Sequence, residues 1–337
     1  MKTRIAINGF GRIGRLAFRL MADNPNFEIV VINDLADAET MAYLLKYDST
    51  QGNFGINDIS FSGNALIYKN TTIAVTAIGE IEKLPWAEKQ VDIVFECTGR
   101  FTKREDLEKH IASGAKRVIL SAPAKGDDVP TIVYGANHTT LTHDDKIISA
   151  ASCTTNCLAP VVKVINEAFG IEKGYVTTVH AYTSDQSLVD SNHKKGIRSR
   201  RGRAAALNIV PSSTGAAKAI GLVIPELKGK LDGAALRVPT AAGSIINLVV
   251  EFKRHVTVEE INEAIKANVN EAMGYTEDPI VSSDIVGNTH GGVYDASTTT
   301  ILEVNGQQMI TMLIWYDNEM SYTAQMIRVA EYIAELR

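Results

Sequence analysis

Cysteine is scarce in this chain, with three in 337 residues. So few thiols, and an odd number of them, argue against a disulfide framework as the source of stability. Long apolar runs are missing as well. No stretch approaches the ~20 apolar residues of a membrane span, so no membrane partner is expected. Neither sign of charge dominates: a net charge of −5 gives no general footprint for nucleic acid or an anionic surface. Internal repeats and low-complexity linkers are also lacking. The opening run "MKTRIAINGFGRIGRLAFRL" is broken by Asn, Gly and Arg and does not read as a secretory leader. These absences point to a reduced, cytoplasmic protein. What remains is an ordinary globular composition, 45% hydrophobic and 22% charged, long enough for about two domains.

The first half reads as strands alternating with helices. "TRIAI" (3–7), "FEIVVIND" (27–34), "VDIVFECTG" (91–99) and "KRVILSAP" (116–123) are short, nearly continuous apolar runs. Between the first two, Ile13, Leu16, Ala17, Leu20 and Met21 recur at helical spacing; a second helix is expected over roughly 103–112. Apolar strands separated by helices indicate a parallel sheet covered on both faces. Beyond about residue 150, "YVTTVHAY", "GAALRVPT", "SIINLVVEF", "TTTILEVNG" and "QMITMLIWYD" alternate as antiparallel strands do. A helix is expected over 257–272 and another at the C-terminus. The expected fold is α/β: a doubly wound Rossmann-type domain with a second α+β domain on a mixed, largely antiparallel sheet. Residues 1–151, completed by the C-terminal helix 318–337, would form the dinucleotide-binding domain, and 152–317 the catalytic domain.

Gly9, Gly11 and Gly14 spell G-x-G-x-x-G between the first strand and the first helix, and Asp34 ends the second strand. One glycine makes the tight turn, one admits a pyrophosphate against the backbone, and one lets helix and strand approach. The helix N-terminus adds N–H groups and a positive dipole end. A carboxylate at Asp34 would accept hydrogen bonds from a ribose 2′-OH and repel a 2′-phosphate, which favours NAD over NADP.

"ASCTTNC" (151–157) holds two of the three cysteines among small and hydroxylated neighbours. A lone C-x3-C without a second Cys/His pair lacks metal spacing, so no metal is expected. Cys157 and Cys97 fit the usual fate of a buried structural thiol. Cys153 stands where the β-like "KIISAAS" meets a helix marked by Leu158, Val161, Val162, Ile165 and Phe169. Pro160 within that stretch suggests a kink or a late helix start. A thiol at a helix N-terminus has its thiolate stabilised, and an imidazole would complete its activation. His180, at the end of "YVTTVH", is singled out from six other histidines by position.

Taken together, "INGFGRIGR", "ASCTTNCLAP", "TVHAYT", "STGAAKAIG", "RVPT" and "WYDNEMSYT" resemble the phosphorylating glyceraldehyde-3-phosphate dehydrogenases over essentially the whole chain. The resemblance implies a homotetrameric glycolytic enzyme that uses NAD and inorganic phosphate to oxidise glyceraldehyde 3-phosphate to an acyl phosphate. It makes Cys153 the nucleophile and His180 the base. It puts Gly9, Phe10, Gly11, Arg12, Ile13 and Gly14 at the pyrophosphate, Ser121 near the cofactor and Asn318 at the nicotinamide carboxamide. Thr183, Asp185 and Arg237 would hold the substrate phosphate, with Arg201 reaching it from the basic loop. Ser152, Thr154, Thr214 and Gly215 would hold the attacking phosphate.

The chain departs from the family pattern in places. Gly79 and Glu80 replace an Arg-Asp pair near the adenine. Ser191 and Asn192 replace a Pro-containing pair that crowds the 2′ position, which leaves NADP as a weaker second cofactor. Ala235 stands where Met is usual. The basic loop, with Lys194, Lys195, Arg198, Arg200, Arg201 and Arg203, reads as a solvated or subunit-interface segment. It lacks the interleaved aromatics of a nucleic-acid surface. A paralogue acting on erythrose 4-phosphate, or an additional non-catalytic binding role, stay open as alternatives.

Overall fold

The structure, a computed structural model, describes residues 2–196 and 198–336. The chain divides into two compact units, one of residues 2–132, 138–152 and 323–336, the other of residues 133–137 and 153–322.

The first unit contains β1 (Thr3–Asn8), α1 (Arg12–Met21), β2 (Phe27–Asn33), α2 (Ala38–Lys46), β3 (Ile59–Ser62), β4 (Ala65–Tyr68), β5 (Thr71–Thr76), β6 (Ile93–Glu96), α3 (Arg104–Ala112), β7 (Arg117–Leu120) and β8 (Ile147–Ser149). Its eight-stranded sheet runs β3-β4-β5-β2-β1-β6-β7-β8. From β5 to β8 the neighbours are parallel, while β3 and β4 add an antiparallel edge. Ile5, Ala6 and Ile7 of β1 are wholly buried, as a central parallel strand with both faces covered requires. Strand order reverses at β1, which puts a crevice at the carboxyl ends of β1 and β6.

The stretch from residue 35 to residue 90 carries one α-helix and three strands whose sequence signals are weak. Helix α2 starts on Asp37, whose carboxylate accepts from Thr40 N at 2.8 Å, an N-cap that satisfies one orphan N–H. Strands β3 and β4 are only four residues each, and three of β3's four residues are exposed. Such edge strands carry little apolar alternation to read.

In the second unit follow α4 (Cys153–Phe169), β9 (Ile171–Ala181), β10 (Val210–Ser213), α5 (Ala216–Val223), β11 (Leu231–Val238), β12 (Ser244–Phe252), α6 (Val258–Lys266), β13 (Met273–Thr276), β14 (Gly292–Val304) and β15 (Gln307–Tyr316); α7 (Met320–Glu335) closes the chain. The sheet order is β10-β11-β9-β12-β15-β14-β13. It is antiparallel except for β11 on β9 and β13 on β14.

One helix expectation is decided between its alternatives and one is corrected. Of a kink or a late start at Pro160, the late start falls: α4 begins at Cys153, and Pro160 lies inside it. The proline forfeits one N–H, but Leu158, Val161, Val162 and Ile165 are fully buried, and packing of that face outweighs the lost bond. The helix expected over 257–272 ends at Lys266. Its start is secured by a capping box between Thr257 and Glu260. Beyond Lys266, Asn270 takes the Ala272 N–H on its side chain at 2.8 Å and bridges to Met273 through its backbone. Asparagine competes with the helix in this way, and the chain enters β13.

Candidate active site

In the first unit, the crevice at the strand ends is a cleft of about 310 Å³, walled by residues that include Gly9, Gly11, Asp34, Gly79 and Thr98. Gly9 has φ +93°, and a Cβ there would lie 2.6 Å from Thr98 N, so only glycine fits. A Cβ on Gly14 would meet the Gly9 carbonyl oxygen at 2.1 Å, which shows how closely α1 packs on the turn. Gly11 faces open space, the place where a side chain would occupy the cleft. It is also the N-cap of α1, with no side chain capping the helix and no acid in its first turn. The first-turn N–H groups, Arg12 and Ile13 among them, therefore suit a bound anion. The Arg12 guanidinium is engaged elsewhere, on Asp48 at 2.6 Å. Asp34 accepts Phe10 N at 2.6 Å on one oxygen and Ala36 N at 3.1 Å on the other. Each carboxylate oxygen keeps a further lone pair for a ribose hydroxyl. Ser121, just past β7, bonds the Cys97 thiol, whose burial pushes it up to about 12.

The second unit builds its site from strand register. Residues His180 of β9 and Arg237 of β11 are direct partners in their parallel pairing, and Ser244 of β12 is opposite Tyr316 of β15. At the first position of α4, Cys153 Sγ lies 3.3 Å from His180 Nε2. The other ring nitrogen, Nδ1, is 2.7 Å from the Ala181 carbonyl. That acceptor fixes the tautomer: Nδ1 carries the hydrogen, and Nε2 turns its lone pair to the thiol. Nη1 of Arg237 sits 3.0 Å from Nδ1 and donates to Ala181 O at 3.0 Å and Thr183 Oγ1 at 3.1 Å.

Electrostatics set the resting protonation. Burial, then the Arg237 charge, push the imidazole down to about 3, so it is neutral at neutral pH. Burial pushes the Cys153 thiol up, against the pull of Arg237 and of the Thr154 hydroxyl and N–H. The N–H groups at the helix start pull the thiol down, as expected for that position, while desolvation is the larger effect and raises it.

Around this pair lies an anion-attracting shell. Burial and repulsion from Arg201 both lower the Arg237 pKa, so the two guanidiniums feel each other's charge. Nε of Arg237 is buried with no acceptor among the described residues. Burial raises the Asp185 carboxyl, but the Thr183 hydroxyl and Arg201 outweigh it and hold it ionised. Arg201 pairs with Asp185 and donates to Ser212 Oγ at 2.8 and 3.0 Å. The Thr214 hydroxyl accepts Ala216 N at 3.1 Å next to Gly215, the N-cap of α5. Ser152 is half-buried and counts with the first unit. Asn318 accepts from Ser244 Oγ at 3.0 Å, which orients its amide.

The Thr154 hydroxyl points inward, 3.0 Å from Tyr316 OH. Tyr316 also meets Thr178 Oγ1 at 2.8 Å, and its ring stands edge-on to His180 with centroids 5.8 Å apart. Nothing local to "WYDNEMSYT" marks Tyr316 for a role. Only the register of β12 and β15 reveals that it underlies the thiol–imidazole pair.

A doubly wound nucleotide-type unit and a second unit carrying a cysteine–histidine pair share this chain, the parts of a dinucleotide-dependent oxidoreductase. Family models support that class and narrow it. Residues 3–104 match the glyceraldehyde 3-phosphate dehydrogenase NAD-binding domain, and residues 152–318 match the C-terminal domain of the same family. Among curated proteins, the glyceraldehyde-3-phosphate dehydrogenase of Clostridium pasteurianum is 54% identical over 334 residues, 99% of each chain. That of Clostridium acetobutylicum is 54% identical over 333 residues, again 99% of each. That of Streptococcus pyogenes is 53% identical over 338 residues, covering all of this chain and 99% of the relative. The chain belongs to the glyceraldehyde-3-phosphate dehydrogenase family.

Proposed function

We propose that this chain oxidises glyceraldehyde 3-phosphate with NAD and inorganic phosphate to 1,3-bisphosphoglycerate, as a glycolytic enzyme. The observation that carries the reading is the 3.3 Å approach of His180 Nε2 to Cys153 Sγ beside Arg237. His180 Nε2 takes the thiol proton as sulfur attacks the aldehyde carbon and returns it to the former carbonyl oxygen, giving a thiohemiacetal and a neutral imidazole. NAD, when bound, supplies the hydride acceptor. A neutral His180 then removes the hydroxyl proton as hydride leaves carbon, and a thioester stays on Cys153. Phosphate attacks the thioester carbonyl, the acyl phosphate departs, and sulfur regains its proton from His180.

Residues 1–151 with the C-terminal helix act as the dinucleotide-binding domain, and 152–317 as the catalytic one. Gly9 to Gly14 take the pyrophosphate through the backbone, Asp34 the ribose, Ser121 a place near the cofactor, and Asn318 the carboxamide. The unsatisfied Nε of Arg237 supports a substrate-phosphate site with Thr183, and Asp185 holds Arg201 in place there. Ser152, Thr214, Gly215 and the Thr154 backbone receive the attacking phosphate. Steady-state turnover with glyceraldehyde 3-phosphate and NAD, with and without phosphate, tests the reading. Faster turnover of erythrose 4-phosphate would favour the paralogue instead.

The active form is a cytoplasmic homotetramer. The fully paired-free state of Cys97, Cys153 and Cys157 suits a reducing compartment, which a thiol nucleophile needs. Leu188, Val189, Leu207 and Ile209 are 86%, 72%, 82% and 67% exposed, an apolar loop surface of the kind that subunit contacts cover. Light scattering coupled to gel filtration checks the mass: a monomer would overturn the tetramer.

A further inference from the structure

Beneath the cofactor cleft of the first unit lies a carboxylate that the proposed chemistry does not use. Glu96, the last residue of β6, is wholly buried, as is His110 of α3. Its Oε1 accepts Thr98 N at 2.9 Å and the Thr98 hydroxyl. Its Oε2 accepts Asn8 Nδ2 at 2.5 Å and lies 3.1 Å from His110 Nε2. The indole of Trp86 can only donate, and it reaches His110 Nδ1 at 2.9 Å. His110 Nε2 therefore carries the hydrogen and donates to Glu96.

The chain of bonds continues across the sheet. Asn33 Nδ2 donates to Asn8 Oδ1 at 2.7 Å, while Thr76 Oγ1 and Ile78 N donate to Asn33 Oδ1 at 2.8 and 2.9 Å. Every link thus points its hydrogen toward one buried carboxylate. The line crosses the carboxyl ends of β5, β2, β1 and β6, and Asn8, Asn33, Ile78 and Thr98 all wall the cleft. Donors aligned this way polarise one another. An isolated buried carboxylate is costly, so the arrangement calls for a reason.

We propose that Glu96 is a positioning residue for the dinucleotide: its charge fixes Asn8 and Thr98, and through them the Gly9 turn between β1 and the cofactor. The inference rests on the reading that this cleft takes NAD. Gly9 is wedged against Thr98, so a shift of either strand end moves the turn. Glu96→Gln puts an N–H where the network holds only donors, and one link must break. Loss of a buried bond of this kind corresponds to NAD binding weaker by roughly ten- to hundredfold.

The test is NAD titration of the full-length protein by calorimetry. Glu96→Gln should weaken NAD binding by that factor, with kcat at saturating NAD and the alkylation rate of Cys153 unchanged. Adding Asn8→Asp to Glu96→Gln restores a donor–acceptor pair with one charge, so the double variant should bind NAD more tightly than either single variant. If Glu96→Gln does not fold, His110→Leu serves: it removes one donor outside the cleft and should weaken NAD severalfold. A merely structural role predicts a lower melting temperature with NAD affinity intact, and that result overturns the proposal. Unaltered protein that binds no NAD would overturn the cofactor reading and this inference with it. Normal binding by both the unaltered protein and the variants would overturn the positioning role alone.

Discussion

Arg237 stands beside His180 in parallel register, its Nη1 3.0 Å from the imidazole Nδ1. Burial, reinforced by that positive charge, keeps the ring neutral, so Nε2 meets the thiol as a base. Replacing His180 with Asn should lower turnover roughly 10²–10⁴-fold, the usual contribution of a positioned acid–base group. Alkylation of Cys153 should slow as well. Turnover and alkylation both at the unaltered rate would remove His180 from the proposed mechanism.

The burial of His180, with that charge, shapes the stability of the protein against acid. His180 is held at about 3, below its ordinary 6.5, so the unfolded chain binds this proton more readily than the folded one. The contribution is complete above about pH 6.5 and declines as pH falls toward 3, by at most about 1.4 kcal/mol per unit. Urea midpoints measured between pH 7 and 5 should fall more steeply for the unaltered protein than for His180→Asn. Parallel curves would contradict the assignment.

The three thiols should separate by reactivity. Cys97 is pushed up to about 12 and Cys157 well above its ordinary value by burial, and both lack a neighbouring cation among the causes of their shifts. Cys153 is pulled back by Arg237 and Thr154, so it should take iodoacetamide first. Cys153→Ser should abolish oxidation and Cys157→Ser should retain most of it. Equal labelling by peptide mass spectrometry would be the contrary result.

Tyr316→Phe strips a hydroxyl that joins Thr154 to Thr178 beneath the site. Two buried hydroxyls then lose a partner, at about 1–3 kcal/mol. The melting temperature should drop, and Thr178→Val in the same background should cost less than it does alone. Additive losses would mean that the bridge is not a unit.

Asp34 should decide the cofactor. Its carboxylate would face a 2′-phosphate with like charge in a partly desolvated cleft, which disfavours NADP. We expect higher kcat/KM with NAD than with NADP, and Asp34→Ala should narrow the gap by improving NADP binding. Equal efficiency with NADP in the unaltered protein would reverse the assignment.

Much of this architecture was legible because its signals are local. The Gly9–Gly14 turn and the α1 stripe each sit within one stretch of chain, where periodicity and glycine placement act directly. Cys153 and His180 were found through motif context rather than proximity. The long-range relations were not legible: Arg237 beside His180 and Tyr316 beside Ser244 depend on strand register, which no single segment encodes. Nor was the upward shift of the Cys153 thiol, because helix position argues for a downward one and only the burial around it argues the other way. The stop of α6 at Lys266 turned on Asn270 capturing a backbone N–H, a competition that apolar spacing does not reveal.

The first unit draws on both ends of the chain, residues up to 152 and again from 323, whereas the second occupies the stretch between them almost alone. During synthesis, then, the nucleotide-type sheet emerges early yet lacks α7 until the whole of the second unit's sheet has been made. Within that unit, Glu331 receives Asn24 at 2.8 Å, and the Tyr332 ring packs edge-on against His138. These contacts can form only once α7 has been made. The strands of the thiol-bearing unit all precede α7 in the chain. A growing chain would therefore be expected to bring together the strands of its later-made unit before the earlier-made unit can close over α7.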